Sequence, residues 1–357
     1  MTMIRSRMLL LLLLALMLAG AMPVVAQDPA PAPAQPQPDA QPAAQPAQPE
    51  PPPALKLRYR FDTDEASRDT LYDYSSHCAA TTTITGAGPR GKDIVLTTDV
   101  NAGATLRVRC LANAGGDYRL GFGVTRLTFA LRDGETTLDF CIGPGLGADG
   151  KDGMTAHKDG ESSSVRELDF WSGGDYASTL PESMGKDLAQ ATLSPTGALS
   201  RRATVLPEPG TGANSRSIVT WLNPGQLGAL LLVAVPDADV TPNPDRPDKP
   251  AWDCSLRLPA LPGRPAGDAL VNCKLTGRVE GKPHQANVEF SSPVSGEPTI
   301  TGNYIFDVKT GAIESLTIRV SVDHRDGATR ITAAHSYRFL RVAKAAAPAA
   351  AGTGTGE

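Results

Sequence analysis

The sequence lacks the motifs that carry chemistry. It has no Gly-x-Ser-x-Gly nucleophile elbow, and its serines, histidines and aspartates make no recognisable triad pattern. His77, His157, His284, His324 and His335 never stand two on one element at metal-ligand spacing. Residues 86–93, Gly-Ala-Gly-Pro-Arg-Gly-Lys-Asp, stop short of a phosphate loop. Asp93 stands where a Ser or Thr would hold Mg²⁺, and Ile94-Val95-Leu96 reads as a strand, not as a helix facing phosphate with its N-terminus. That stretch is read as a hairpin loop. Residues 143–161 hold Asp149, Asp152, Asp159 and Glu161, but Lys151 and Lys158 interrupt them and the spacing matches no calcium loop. The sequence therefore names no cofactor and no metal.

Basic excess is also missing. The formal charge is −4, and removal of Arg5 and Arg7 with a leader takes it to about −6, which argues against nucleic acid as a partner. Aromatics make up only 5%, while Gly and Pro together reach 66 residues, filling low-complexity tails and punctuating short strands. No strand–helix–strand rhythm of a parallel sheet is present.

What is present begins with a secretory pattern. Arg5 and Arg7 precede an apolar run over residues 8–22, and Val24 and Ala26 put small side chains at the −3 and −1 positions before Gln27. No cysteine follows the run, which argues against a lipid anchor. The alternative is an uncleaved anchor, since residues 8–26 are just long enough to cross a bilayer. The expected organisation is a signal peptide over 1–26 and a Pro/Ala/Gln-rich linker over 27–54. An antiparallel β domain over 55–342 and a disordered tail over 343–357 follow. The expected location is the periplasm, the cell envelope or the exterior.

Between the tails the apolar period is two. Leu55, Leu57, Tyr59 and Phe61 alternate with Lys56, Arg58 and Arg60, and Leu106, Val108 and Cys110 with Arg107 and Arg109. Tyr118, Leu120, Phe122 and Val124 share one parity, and Leu127, Phe129 and Leu131 the other, which predicts a β-bulge near Thr125-Arg126. Asp133-Gly134 reads as a two-residue hairpin turn that sets Phe129 against Leu138 and Leu127 against Phe140. Asp326-Gly327 does the same for Val322 and Ile331, Val320 and Ala333, Ile318 and His335, and Leu316 and Tyr337. Further strands alternate through Trp252, Cys254, Leu256 and Leu258, and through Val271, Cys273 and Leu275.

One helix is expected. Asn223 offers an N-cap, Pro224 the first helical position and Gln226 the capping-box position, and Leu227, Leu230, Leu231 and Ala234 follow at helical spacing. A second helical turn is possible at 181–186. The fold class is thus mainly β: a curved antiparallel sheet or half-barrel with one or two short helices on its concave side.

The five cysteines are an odd number. In an exported chain that implies bridges with at least one thiol left over. Cys254 and Cys273 face inward on neighbouring strands and are the candidate disulfide. Cys78 and Cys110 share apolar parity, and Cys141 does not. The alternative is that all five are small buried hydrophobes. The second hairpin puts His335 on the apolar face between Ala333 and Tyr337. It is read as an interior histidine, with ligand contact or catalysis as the alternative.

Several segments together resemble a family of exported bacterial β-rich proteins that carry a domain of unknown function. They are the opening Leu-Lys-Leu-Arg-Tyr-Arg-Phe at 55–61, residues 188–205 with their Ser-Pro-Thr-Gly turn, the helix running into Ala-Val-Pro-Asp-Ala-Asp-Val at 234–240 followed by Trp252, and Gly-Asn-Tyr-Ile-Phe-Asp-Val-Lys-Thr-Gly at 302–311. The sequence departs from that pattern at 241–250, where Pro and Asp replace an expected Gly-Asp turn. The family is similar in outline to the periplasmic lipoprotein-carrier half-barrels. The resemblance implies a curved sheet able to shelter an apolar ligand, and it implies no mechanism. The expected function is a non-enzymatic envelope protein that binds an apolar small molecule or lipid, or docks another envelope protein, on its concave face. The candidate ligand-binding residues are Leu227, Leu230, Leu231, His335 and Tyr337. A hydrolase with a convergent site is the rival class, and a purely structural component of an envelope assembly is a third.

Overall fold

The computed structural model describes residues 54–61, 71–87, 93–144, 153–162, 184–204, 223–237, 239–240, 252–261, 264–293 and 298–342. The chain divides into units 1–50 and 51–357, and every described residue belongs to the second. The expected signal peptide and tail, and nearly all of the linker, lie outside the described residues.

One antiparallel sheet of fourteen strands dominates. In chain order they are β1 (Leu71–Ala87), β2 (Asp93–Ala114), β3 (Asp117–Asp133), β4 (Thr136–Gly143), β5 (Gly153–Lys158), β6 (Glu161–Ser162), β7 (Ala189–Leu193) and β8 (Leu199–Thr204). After α1 (Pro224–Leu231) come β9 (Trp252–Leu258), β10 (Gly267–Val279), β11 (Lys282–Ser291), β12 (Thr299–Asp307), β13 (Ala312–Asp326) and β14 (Thr329–Arg341). The spatial order is β6-β5-β4-β3-β2-β1-β14-β13-β12-β11-β10-β9, so β14 pairs with β1 and joins two sequential meanders. This is the mainly β class read from the sequence. α1 is the one α-helix among the described residues; residues 184–186 of the expected second turn form a turn and a bend, and 181–183 lie outside.

The bulge falls where the parity change puts it. Thr105 pairs with Arg126 and Leu106 with Val124, leaving Thr125 as the extra residue. The bulge also forks the sheet. The half of β3 before it pairs with β7 from Tyr118 to Phe122, and the half after it pairs with β4 from Leu127 to Asp133.

Both hairpin registers differ from expectation by two residues. Asp133 and Asp326 are the last paired residues, opposite Thr136 and Thr329, and the turns are Gly134-Glu135 and Gly327-Ala328. Gly134 and Gly327 have φ of 62° and 57° while the residue after each is not left-handed, the type II′ pattern with glycine first. Phe129 therefore faces Phe140, Leu127 faces Ile142, Val320 faces His335 and Ile318 faces Tyr337. Moving a turn by one residue moves every partner by two, so each side chain keeps its face.

Residues 55–61 alternate in burial as expected but do not form a ladder strand. Leu55 makes a single bridge to Val240, the Tyr59 N–H donates to the Pro195 carbonyl at 2.9 Å, and the Arg60 N–H donates to the Gly311 carbonyl at 2.9 Å. The segment lies across the inner face of the sheet. The Tyr59 ring stands edge-on to Phe306 of β12, and Phe61 packs against Tyr72 of β1 and Tyr118 of β3. Burying each such side chain contributes about 1.5–3 kcal/mol, so a short segment fastens distant strands together.

Candidate functional site

Paired residues point to the same side of a sheet, so the inner face is a stack of rows running across the strands. The row through Cys78 and Tyr337 is buried, with both side chains 1% exposed. The next row toward the β1–β2 and β13–β14 turns holds Ala80, Val100, Val320 and His335. Beyond it come Thr82 and Thr98, still buried, with Ala333 and half-buried Val322. The last row, Ile84, Leu96 and Ile331, reaches solvent: Ile84 is 38% exposed and Leu96 50%. The inner face thus ends on this side in a partly exposed apolar rim, with His335 and Tyr337 buried in the rows behind it.

His335 is 3% exposed, and its Nδ1 lies 3.4 Å from the Tyr337 hydroxyl. Burial disfavours the imidazolium and lowers its pKa to about 4, so the ring is neutral at pH 7. The same burial raises the Tyr337 hydroxyl well above its usual value, with Cys78 adding to the effect, and pushes the Cys78 thiol up to about 12. These groups are uncharged hydrogen-bonding partners set in an apolar wall.

α1 stands at the other end of β3. Asn223 caps it, its side-chain oxygen accepting from the Gly225 and Gln226 N–H groups at 3.0 and 3.2 Å. Gln226 does not complete the expected capping box, because both ends of its amide are buried and unbonded. Leu227, Leu230 and Leu231 are at most 2% exposed, and the helix contacts β9 as well as β2, β3 and β7. One edge of the sheet order therefore meets strands far along it through this helix. The approach is close: a Cβ on Gly228 would lie 2.4 Å from the Phe122 ring. The Tyr59 hydroxyl donates to the Val233 carbonyl at 2.8 Å just after the helix. The structure thus separates the candidate residues, with the three leucines at the α1 end of the inner face and His335 and Tyr337 toward the apolar rim.

Cys254 and Cys273 are both buried, with their Sγ atoms 3.2 Å apart. They sit diagonally, since Cys254 pairs with Val271 and Cys273 with Trp252. Hydrogen bonding to Cys254 and burial raise the Cys273 pKa. Cys141 points outward beside Thr128 and Thr155. The Tyr304 hydroxyl and the Trp252 indole N–H are buried without a hydrogen bond.

The outer face is polar. Arg107 forms a two-pronged pair with Asp73 at 3.0 and 3.3 Å, and Arg109 pairs with Asp187; away from this face, on the segment over the inner side, Arg58 pairs with Asp237 at 3.1 Å, so the alternating basic residues are partly neutralised. Two outward cavities lie on this face. One of about 630 Å³ spans β10–β13, among Asn272, Lys274, Glu289, Asn303 and Arg319, and one of about 420 Å³ spans β1–β4, among Thr81, Asp99, Asn101 and Arg132. Among the described residues no three His, Cys, Asp or Glu side chains gather as metal ligands.

No protein-family model matches the chain, and no curated protein matches its sequence. A solved structure concerned with lipid–protein interactions in lipovitellin is similar in part, at 9% identity and a TM-score of 0.37. That likeness covers 78% of this chain but 26% of the lipovitellin chain. It is too distant to carry an argument about this site.

Sequence reasoning missed the rim and the outer cavities. Ile84, Ile94 and Leu96 were legible as apolar strand residues, but their exposure depends on how far β1 and β2 extend past their neighbours. The outer cavities join side chains from four strands each, and local alternation carries no signal of that.

Proposed function

We propose that this chain is a non-enzymatic binding protein of the cell envelope that takes an apolar ligand on the inner face of its sheet. The observation that carries the reading is the graded inner face, buried at Cys78 and Tyr337 and emerging at Ile84 and Leu96. Monomeric proteins seldom leave apolar side chains grouped in solvent at the mouth of a core without a use for them. Thr82, Thr98, His335 and Tyr337 supply neutral hydrogen-bonding groups along the same path, suited to an amphiphile with one uncharged polar group. The secretory pattern at residues 5–26 supports export.

Two measurements test this. Mass spectrometry of natively purified protein should find a co-purifying apolar molecule. A fluorescent apolar probe should bind the full chain, and Ile84→Ser with Leu96→Ser should weaken that binding while leaving the melting temperature within a few degrees, because both residues are already exposed. Unchanged probe binding in the double variant would refute the proposed entrance.

A further inference from the structure

The outward side chains form rows of their own, and one row runs unbroken over eleven strands. It begins at Asp253 on β9, where Asn272 donates to the Asp253 carboxylate at 2.6 Å, and passes through Ser291, Thr301 and Arg319. It crosses the middle of the sheet at Ser336 and Ala79. It continues through Asn101, Ala130 and Asp139 to His157 on β5. At roughly 4.8 Å between strands, its length is about 48 Å. Both outward cavities sit on this row, one on each side of Ser336.

The chemistry of the row is polar and balanced. Besides Asp253, Arg319, Asp139 and His157, its members are Asn, Ser, Thr and Ala. Within it and the two flanking rows, Arg319, Lys274, Arg338 and Arg132 are matched by Asp253, Glu289, Asp139 and Asp99. We propose that this row is a track for an extended, uncharged, hydroxyl-rich polymer, a neutral polysaccharide chain. Hydroxyl and amide side chains offer donors and acceptors together, which is what a sugar hydroxyl needs. A polyanion would call for a basic surplus that the row does not have. An extended peptide adds to a sheet edge through its backbone, whereas this track crosses the face of the strands. The site lies on the face opposite the apolar path, so the two proposals stand or fall separately.

Affinity electrophoresis of the full chain in native gels tests it, with soluble hydroxyethyl cellulose, galactomannan or dextran in the gel. At least one of these should retard the protein. Asn303→Ala, on the exposed floor of the larger cavity, should weaken binding by roughly 3- to 10-fold, the usual worth of a lost hydrogen bond. Ser336→Arg, between the cavities, should remove the advantage of a long chain over its trisaccharide and leave the trisaccharide bound. Circular dichroism melting should show both variants folded. Retardation by none of the three polymers, or by heparin alone, would overturn the proposal. So would a Ser336→Arg variant that still prefers the long chain.

Discussion

His335 sets an acid limit on the fold. Its folded pKa is about 4, below the ordinary value of 6.5, because burial disfavours the charged ring. Between those values the unfolded chain binds a proton that the folded chain does not, so stability present above pH 6.5 is lost as pH falls toward 4. The loss amounts to roughly 3 kcal/mol at most. Urea midpoints at pH 7, 5.5 and 4 should fall in step for the natural chain and fall less for His335→Gln. Parallel slopes would move the acid sensitivity elsewhere. The cysteine pair is a second residue-scale matter. A diagonal pair has its Cα atoms about 7–8 Å apart, past the usual span of a disulfide, so a bridge needs a small backbone shift, but the two Sγ atoms already touch. We expect peptide mapping under non-reducing conditions, on protein exported to an oxidising compartment, to link Cys254 with Cys273 and leave outward-facing Cys141 unlinked. Five free thiols would make the pair simple core packing.

At the scale of the element, α1 is a closure rather than a surface helix. Its stripe is buried on β9 as well as on β3 and β7, so truncating it removes contacts from strands far apart in the sheet order. Leu230→Ala should cost about 2–5 kcal/mol, the ordinary range for a packed leucine, and should be read in a chemical melt. Gly228→Ala should cost at least as much relative to its size, because the added methyl meets the Phe122 ring, which is itself 2% exposed. A Gly228→Ala variant as stable as the natural chain would mean that this approach relaxes freely. The same scale shows what local sequence encodes. The β3 bulge, the strand faces and the Asn223 cap follow from parity and capping rules that act within a few residues. The hairpin partners missed by two because parity fixes faces while turn geometry fixes register, and Asp-Gly suits two turn frames. The fate of residues 55–61 was not legible, because an alternating segment looks alike whether it joins a ladder or lies across one.

At the scale of the whole molecule, that segment holds a curled sheet in one shape. An open sheet with its inner face apolar must be filled from somewhere, and here part of the filling is the chain's own Leu57, Tyr59 and Phe61, each at most 6% exposed. Tyr59 touches β12 through Phe306, the β7–β8 turn through Pro195 and the exit of α1 through Val233. Phe61 touches β1 and β3, and the Arg60 N–H reaches the β12–β13 turn at Gly311. These contacts join strands that the ladder leaves far apart in order. A protein beginning at Ala54 keeps all of them, and one beginning at Thr63 keeps none. The first should melt with the full chain. The second should lose several kcal/mol from the three buried side chains alone, a fall in melting temperature of roughly 10 °C or more. It should also bind an apolar dye more strongly, since the inner face it uncovers is the one that ends at Ile84 and Leu96. Equal melting of the two shortened chains would mean that the sheet holds its curl unaided and that residues 55–61 only rest upon it.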